Sequence, residues 1–299
     1  MFDARCFLIE NVCGKWCGRL RLGMEGRVRQ MIPGIDTRAE TRLLAFLEPG
    51  ITDLRKEALA DRPMTLLSAQ DAEVATLGIE CVGESDLAVV VTDPARRLGG
   101  LKVQSIGRNN VIYFDNARWG GNCFGNIRII GSNSLLFFND IGDGYVAIHD
   151  LLMRSHGQIM FWGAGSTAVG ISIEIEGEGS AVVIGDDALI SSGVWIRNYD
   201  MHAMHDLGTG AQINRKPGDT VLERHVWLGQ ETLLLSCERV GMGSVIGARA
   251  LAKGHIPPRV VAAGTPAKVI RENASWGRHP YGMTDVERHS ISHDSFVNN

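Results

Sequence analysis

The sequence has little proline, few aromatic residues and no long apolar run. Of its 299 residues only 9 are Pro and 6% are aromatic, whereas 36 are Gly. No apolar stretch approaches the roughly 20 residues of a membrane-spanning helix, and the N-terminal segment lacks the apolar core of a signal peptide. The sequence therefore predicts a protein without a transmembrane segment.

Concentrated charge of one sign is also absent. The chain has 30 Lys and Arg residues against 34 Asp and Glu, a net charge of −4, and no run of basic residues. Nucleic-acid binders usually present a concentrated basic surface, so this function class is disfavoured. With 44% hydrophobic and 21% charged residues, the composition is typical of a soluble globular protein and argues against disorder.

Cysteine is too sparse and too irregularly spaced for a disulfide framework. The six cysteines are Cys6, Cys13, Cys17, Cys81, Cys123 and Cys237. This usage fits a reducing compartment and predicts a cytoplasmic location. Cys13 and Cys17, together with Cys6, could bind a metal, but zinc sites usually use tighter pairs in duplicate, so small buried thiols are the favoured interpretation.

The first 98 residues predict a mixed α/β region. Apolar residues three and four apart predict helices over 38–47 and 53–61, and the apolar run at 87–91 predicts a buried strand. No catalytic motif occurs in this region. It is either a small domain of its own or a cap on the rest of the chain.

From Leu101 onward an aliphatic residue recurs every six positions, usually followed by Gly. A period of six fits neither a helix nor an ordinary strand. The repeats are Ile106-Gly107 with Ile112, Ile130-Gly131 with Leu136, Ile184-Gly185 with Ile190 and Ile196, Val221 with Trp227 and Leu233, and Val240-Gly241 with Ile246-Gly247 and Ala252.

A six-residue unit can form one short strand and one turn, and three units make a triangular coil. The aliphatic residues then point inward, glycine and small polar residues supply the corners, and successive coils hydrogen-bond at about 4.8 Å. One coil cannot bury its own core, so stability comes from stacking. The repeat therefore predicts a mainly β protein with a parallel β-helix over 99–270, followed by a partly ordered C-terminal extension over 271–299.

Two segments interrupt the six-residue spacing. One extra residue around Cys237 predicts a bulge between Leu233 and Val240. Residues 197–220 are too polar for a core and predict a loop extruded from the coil. Inserted loops on rigid scaffolds often carry function.

Five motifs stand out between residues 184 and 272. They are IGDDALISSGVWIRNYDMH (184–202), RKPGD (215–219), HVWLG (225–229), SVIGARA (244–250) and IPPRVVAAGTPAKVIRE (256–272). In these motifs the stretch 184–271 resembles the hexapeptide-repeat acyltransferases, and within them the capsular-polysaccharide and sugar O-acetyltransferases. The resemblance implies a left-handed β-helix, acetyl-CoA as co-substrate, transfer of an acetyl group directly to a sugar hydroxyl of a polysaccharide or its precursor, and a homotrimer with the cofactor groove between copies.

The resemblance assigns the catalytic base to His202. A neutral sugar hydroxyl is a poor nucleophile, and histidine titrates near cellular pH, so an imidazole suits the removal of its proton. The H-x-x-H spacing with His205 resembles that of galactoside acetyltransferases, in which the first His is catalytic. Asp200 is the predicted partner that orients the ring, with Asp206 as the alternative. His205 and Asn214 are predicted to contact the acceptor.

The resemblance also implies a backbone donor for the oxygen that becomes negative during transfer. Relatives use the N–H that follows a W-I-G triplet, which corresponds here to Trp227-Leu228-Gly229, so the donor is the amide of Gln230. Trp227 and Gly229 are assigned to the cofactor site, near the thiol. For Trp227 a pure core role is the alternative, since it falls at an inward repeat position.

Further cofactor contacts are predicted toward the C-terminus. By resemblance, the backbone at Ala248 holds the pantetheine arm, and Lys268 and Arg271 meet the nucleotide phosphates; a solvated charged face is the alternative for both. Relatives usually carry a Lys three residues before the Pro-Pro pair, where this chain has Gly254. Lys253 lies one residue earlier and is the candidate replacement, although a one-residue shift turns a side chain to the other face of a strand.

Four other functions remain open from the sequence. Within the acetyltransferases, the acceptor could be the amine of an amino-sugar nucleotide or a streptogramin-type antibiotic. A zinc-dependent hydratase of the gamma-carbonic-anhydrase type would need three histidines, and His202, His205 and His225 are the nearby set. A non-catalytic β-helix scaffold is the last alternative. The favoured assignment requires no metal.

Overall fold

The computed structural model describes residues 31–83, 85–214 and 216–284. The predicted cysteine group of Cys6, Cys13 and Cys17 lies outside these residues. The helices are α1 (Thr37–Ala45), α2 (Lys56–Ala60) and α3 (Ala72–Thr76). The strands are β1 (Thr65–Ser68), β2 (Ile79–Cys81), β3 (Leu87–Val91), β4 (Gly99–Ser105), β5 (Asn110–Phe114), β6 (Cys123–Ile129), β7 (Leu135–Phe138), β8 (Val146–Met153), β9 (Ile159–Trp162), β10 (Thr167–Ile175), β11 (Ala181–Ile184), β12 (Leu189–Ile190), β13 (Val194–Arg197), β14 (Thr220–Leu222), β15 (Trp227–Leu228), β16 (Leu233–Val240), β17 (Val245–Ile246), β18 (Leu251–Ile256), β19 (Val261–Gly264) and β20 (Ala267–Arg271).

The strands wind into a stacked coil. Each strand pairs in parallel with its counterpart one coil further on, as β4 does with β6 and β6 with β8. One sheet face runs continuously through β8, β10, β13, β16 and β18. The predicted left-handed parallel β-helix is confirmed. The antiparallel pairs, β1 with β3 and β19 with β20, lie at its two ends.

The coils are not all of the predicted length. Leu234 pairs with Ala252, a step of 18 residues, but Val111 pairs with Leu135, a step of 24. The N-terminal coils are therefore not built of three six-residue units as expected, although their step is still a multiple of six. Ile106 and Ile130, predicted to point inward, are 66% and 42% exposed because they lie in turns of these longer coils.

Inside the coil, stacked aliphatic side chains form a continuous core. Ile184, Ile190 and Ile196 point inward and are fully buried, as predicted. In the next coil the prediction is wrong by one residue. Val221, Trp227 and Leu233 were predicted to point inward and do not. Since successive side chains of a strand alternate between faces, Trp227 points outward. The fully buried residues of that coil are Leu222, Leu228 and Leu234.

The predicted bulge in β16 is confirmed. The register against β18 shifts on both sides of Cys237, and Ser236 adopts a left-handed backbone conformation with φ of 51°. The bulge lies on the coil directly above the strand that leads into the extruded loop.

The region before residue 99 packs against the coil. Helices α1 and α2 confirm the predictions for 38–47 and 53–61, and β3 confirms the strand at 87–91. Leu43 of α1 joins a second core with outward-facing side chains such as Tyr113, Phe137 and Phe161. Strands covered on both faces read as continuous apolar runs, which explains LLFF and IMFW. Because β2 and β3 already pair with β4 and β5, the coil begins before the expected boundary at 98.

Candidate functional site

The segment between β13 and β14 forms a loop outside the coil. His205 and Gln212 form an antiparallel bridge, so its centre is a hairpin. Every residue from Met201 to Ala211 is exposed, and Leu207 is completely exposed. An ordered loop that presents apolar side chains to solvent is a surface for contact with another molecule.

Asn198 holds the two ends of this loop together. Its side chain is fully buried, accepts a hydrogen bond from the Glu176 N–H at 2.9 Å, and donates to the carbonyls of Glu176 and Gly218 at 2.8 and 2.7 Å. The loop thus leaves and re-enters the coil at one fixed point. Asn198 was not predicted from the sequence, although its signal was an Asn at the start of the predicted extrusion, a position where its side chain can bond to the local backbone.

The backbone of His202 is fixed and its ring is free. The His202 N–H donates to the Asp200 carbonyl at 2.8 Å, and its carbonyl accepts from the Asn214 side chain at 2.9 Å. Within the described residues, the imidazole makes no hydrogen bond. A ring held by its main chain with both nitrogens accessible is available to a substrate hydroxyl.

Asn214, predicted to bind the acceptor, holds the loop together. Besides His202, its side chain donates to an Asp200 carboxylate oxygen at 3.3 Å and accepts from the Met204 N–H at 2.9 Å. An acceptor contact by Asn214 stays a prediction.

The Asp200 side chain accepts hydrogen bonds from several groups, and the His202 ring is not one of them. One carboxylate oxygen accepts from Lys253 Nζ at 3.1 Å and from Ser236 Oγ at 3.0 Å. Burial opposes ionisation of Asp200, but the hydrogen bonds from Lys253, Ser236 and Asn214 outweigh it and lower its pKa. The predicted cofactor residue Lys253 therefore ties the base of the loop to the coil, and its role toward the cofactor stays a prediction.

The ion pair of Asp200 makes a pH-dependent contribution to loop stability. A carboxylate with a lowered folded-state pKa stabilises the fold above its unfolded value of about 3.9 and loses that contribution as pH falls through the folded value. In Lys253→Met the Asp200 pKa should rise, so the loop should open at a higher pH than in the wild type. Hydrogen exchange of residues 200–214 between about pH 3 and 6 measures this. Lys56→Met, on exposed α2, is the control; equal pH profiles for wild type and Lys253→Met would contradict the assignment.

His205 and Asp206 form the turn at the tip of the loop. Asp206 accepts hydrogen bonds from the N–H groups of Thr209 and Gly208, which lower its pKa, and His205 Nδ1 lies 3.2 Å from the Gly210 carbonyl. This is the behaviour of a turn residue. Of the two predicted carboxylates, Asp200 lies beside His202 in the chain and Asp206 belongs to the tip, and neither side chain bonds to the His202 ring.

The predicted cofactor corner follows β15. Gly229 leaves no room for a side chain, since a Cβ would lie 2.6 Å from the Ala248 nitrogen. The N–H groups of Gln230 and Ala248 donate to no atom of the described residues. Trp227 lies partly exposed beside this corner, with its Nε1 3.4 Å from Ser191 Oγ. Two unpaired amides one coil apart are able to donate hydrogen bonds to carbonyl oxygens.

Lys268 and Arg271 lie on the terminal hairpin of β19 and β20. Both side chains are exposed, and neither makes an ion pair with a described residue. They are accessible to an anionic group.

A second cluster, which was not predicted from the sequence, holds the C-terminal segment against the coil. His225 is buried, with Nδ1 2.6 Å from Asp187 and Nε2 2.9 Å from the Trp276 carbonyl, and its ring stacks on the Trp276 ring at 4.1 Å. Arg278 bonds to the same Asp187 at 2.7 Å. Burial raises the pKa of Asp187, but His225 and Arg278 outweigh it and lower the pKa. As a result, the ring centroids of Trp276 and Trp227 are 6.2 Å apart.

His225 therefore has both ring nitrogens engaged. In the part of the chain that the structure describes, no three His, Cys, Asp or Glu residues form a group suited to a metal ion, and the three histidines of the zinc alternative are not such a group.

None of the helices in residues 31–83, 85–214 and 216–284 is long and apolar enough to cross a bilayer.

Comparison with known proteins finds acetyltransferases, both of sugars and of chloramphenicol. No family model matches the chain. The chain is 33% identical over 183 residues to the polysialic acid O-acetyltransferase of Neisseria meningitidis, covering 60% of this chain and 80% of that protein. It is 34% identical over 100 residues to the galactoside O-acetyltransferase of Escherichia coli K12, covering 33% of this chain and 48% of that protein. A solved polysialic acid O-acetyltransferase structure matches 70% of this chain and 92% of its own, with a TM-score of 0.51 and 28% identity.

Proposed function

Because the chain belongs to the hexapeptide-repeat sugar O-acetyltransferases, we propose that it acetylates a hydroxyl of a polysaccharide or its precursor with His202 as general base. It is an acyltransferase with acetyl-CoA as co-substrate. The observation that carries the choice of base is the unpaired His202 ring on a loop whose backbone is hydrogen-bonded at both ends. The described cysteines are unbridged, which supports a cytoplasmic location.

The residues of this chain fit the co-substrate. Acetyl-CoA supplies the thioester carbonyl that the acceptor hydroxyl attacks. The unpaired Gln230 amide is available to the oxygen that gains negative charge, the Ala248 amide to the pantetheine arm, and the unpaired Lys268 and Arg271 to phosphates. His202 accepts the hydroxyl proton and returns it to the departing sulfur, so its protonation is restored after each turnover.

We further propose a homotrimer, because one copy separates its own base from its own oxyanion donor. Glu231 donates to the Ser192 carbonyl, so Ser192 lies one coil below Gln230, whereas the loop begins at Asn198. After a turn at Ser192 and Gly193, the chain runs through β13 to Asn198, and this strand alone spans about 13 Å. The loop projects exposed apolar side chains away from its own coil, which favours His202 of one copy acting with Gln230 of another.

The acceptor class is tested by thiol release from acetyl-CoA with a panel of polysialic acid, galactosides and amino-sugar nucleotides. The relatives' names make the first two the leading candidates. We expect release with polysialic acid or the galactosides, which offer sugar hydroxyls and no free amine. Release with amino-sugar nucleotides alone would replace O-acetylation by N-acetylation.

A shared site predicts complementation between two inactive variants. His202→Ala removes the base, and Gln230→Pro removes the donor N–H without breaking a backbone hydrogen bond of the described residues. Its one loss among them is the exposed side-chain hydrogen bond from Gln230 to Glu231, at 3.4 Å. Refolded together, they should regain about a quarter of the wild-type rate, because random assembly pairs an intact His202 with an intact Gln230 at that frequency. Each variant refolded by itself is the control. Mixed oligomers without activity would show that both residues act within one copy.

A further inference from the structure

A polar groove lies on the same sheet face as the strand that leads into the loop. It has a volume of about 310 Å³ and is bordered by β4, β6 and β8. Since β8 pairs with β10 and β10 with β13, the groove begins two coils, about 10 Å, below β13. Its polar side chains are Lys102, Gln104, Asn126, Arg128, His149 and Asp150.

A bulge in β8 builds the groove. Ile148 pairs with Gly125 and Ile171 on the two sides, and Leu151 pairs with Ile127 and Ile173, so β8 contains one residue more than both of its neighbours over this stretch. Such a bulge redirects side chains and is common beside binding sites. Here it leaves His149 exposed and the adjacent Asp150 partly exposed.

The position of His149 depends on a glycine. A Cβ at Gly170 would lie 2.6 Å from Cε1 of His149, so the ring rests directly on the Gly170 backbone. Within the described residues its ring makes no hydrogen bond. His149 is therefore held by packing, and its exposed side chain is accessible to a ligand.

The groove offers donors and acceptors in fixed positions. Arg128 makes a two-pronged ion pair with Asp150, with Nε–Oδ1 and Nη2–Oδ2 distances of 3.1 and 2.5 Å, and its Nη1 bonds to no described atom. Asn126 donates to the His149 carbonyl at 3.1 Å, which leaves its side-chain oxygen free to accept. Preorganised groups of this kind bind hydroxyl and carboxylate groups with little loss of entropy.

An exposed aromatic pair lies at the start of two strands, β6 and β8, that line the groove. The rings of Phe124 and Tyr145 are 5.9 Å apart, and the two residues are 41% and 47% exposed. Phe124 lies two residues before Asn126 on the same strand and the same face. Exposed apolar surface rimmed by polar groups marks a ligand groove, and sugars present apolar C–H faces with polar edges. Because Lys102 lies near Glu80 and Arg128 pairs with Asp150, the groove is not the basic surface that a nucleic acid requires.

We infer that this groove binds the sugar units that flank the one being acetylated, so the acceptor is an oligosaccharide or polymer rather than a free monosaccharide. The inference rests on the proposed function, because the groove is assigned to the acceptor through its continuity with the strand that leads to His202. It names the substrate class of that site and a set of binding residues outside it.

Direct binding tests the groove without catalysis. Fragments of polysialic acid and of a galactose-containing oligosaccharide, each of one, two, four and six units, are titrated into wild type by calorimetry in the absence of acetyl-CoA. At least one series should bind more tightly as it lengthens, and Arg128→Gln should raise the Kd of its longest member roughly tenfold. Gly170→Ala, which displaces the His149 ring, should also raise the Kd of this longest member. Arg118→Gln is the control, since Arg118 is also an exposed arginine that pairs with an aspartate, the buried Asp140, elsewhere on the coil.

Three outcomes of the binding experiment would overturn the inference. These are equal affinity for all lengths, an unchanged Kd in both groove variants, and a change of oligomeric state in Arg128→Gln by ultracentrifugation, which would make this face a contact between copies. The proposed function fails separately, if wild type releases no thiol with any sugar. If thiol release has the same rate with one sugar unit and with six, the groove assignment is wrong but the proposed function stands.

Discussion

Replacing His202 with alanine should lower kcat/KM for acetyl transfer by roughly 10²- to 10⁴-fold, the usual contribution of a positioned general base. The imidazole is exposed and makes no hydrogen bond to a described residue, so its removal breaks no contact of the fold. Unchanged thermal unfolding would show that the loss is chemical. Thiol release with the best acceptor of the panel measures the effect.

His205→Ala is the comparison that distinguishes the two histidines of the loop. His205 lies at the tip and contacts the Gly210 carbonyl, so its loss should act mainly on KM through the shape of the turn. If His202→Ala retains activity within a few-fold of wild type while His205→Ala loses it, the base is His205. Full activity in both variants would remove this loop from the chemistry.

Gly125→Ala should destabilise the coil by about 3–5 kcal/mol, the range of severe core substitutions. Gly125 has a φ of 139°, and a Cβ there would lie 1.8 Å from the Ile148 carbonyl oxygen on the next coil. Because this oxygen belongs to the backbone and cannot move aside as a flexible side chain could, the two coils would have to separate and break their hydrogen bonds. The unfolding temperature by circular dichroism measures the loss.

Gly142→Ala separates backbone strain from the clash. Gly142 also has a left-handed φ, of 59°, but nothing lies within 4 Å of the added Cβ. It should destabilise the protein by only about 1–2 kcal/mol. Equal losses in the two variants would mean that the close approach of the coils at Gly125 contributes nothing.

The repeat predicted the architecture because stacking imposes one spacing on every coil that obeys it. It failed where the coils are longer, and Ile106 and Ile130 lie in turns as a result. It also misassigned the face of Trp227, since a shift of one residue reverses every side chain of a strand.

The candidate site was predictable only in its local parts. The polar insertion identified the loop, and the H-x-x-H motif singled out His202. The partners of Asp200 were not predictable, because Lys253 lies 53 residues away in sequence and is brought to the loop by the coils above it. For the same reason the sequence did not link His225 to Trp276.

Periodicity and local composition by themselves determined that this chain forms a stacked coil, that a polar segment leaves it near residue 197, and that glycine occupies its corners. Only the tertiary structure decided which residues meet across coils: Lys253 with Asp200, His149 over Gly170, and α1 against the outer face. The physical reason is that these neighbours depend on the exact number of residues in each intervening coil. A motif of six fixes the direction of a side chain locally, but every longer coil and bulge changes which residue lies above it.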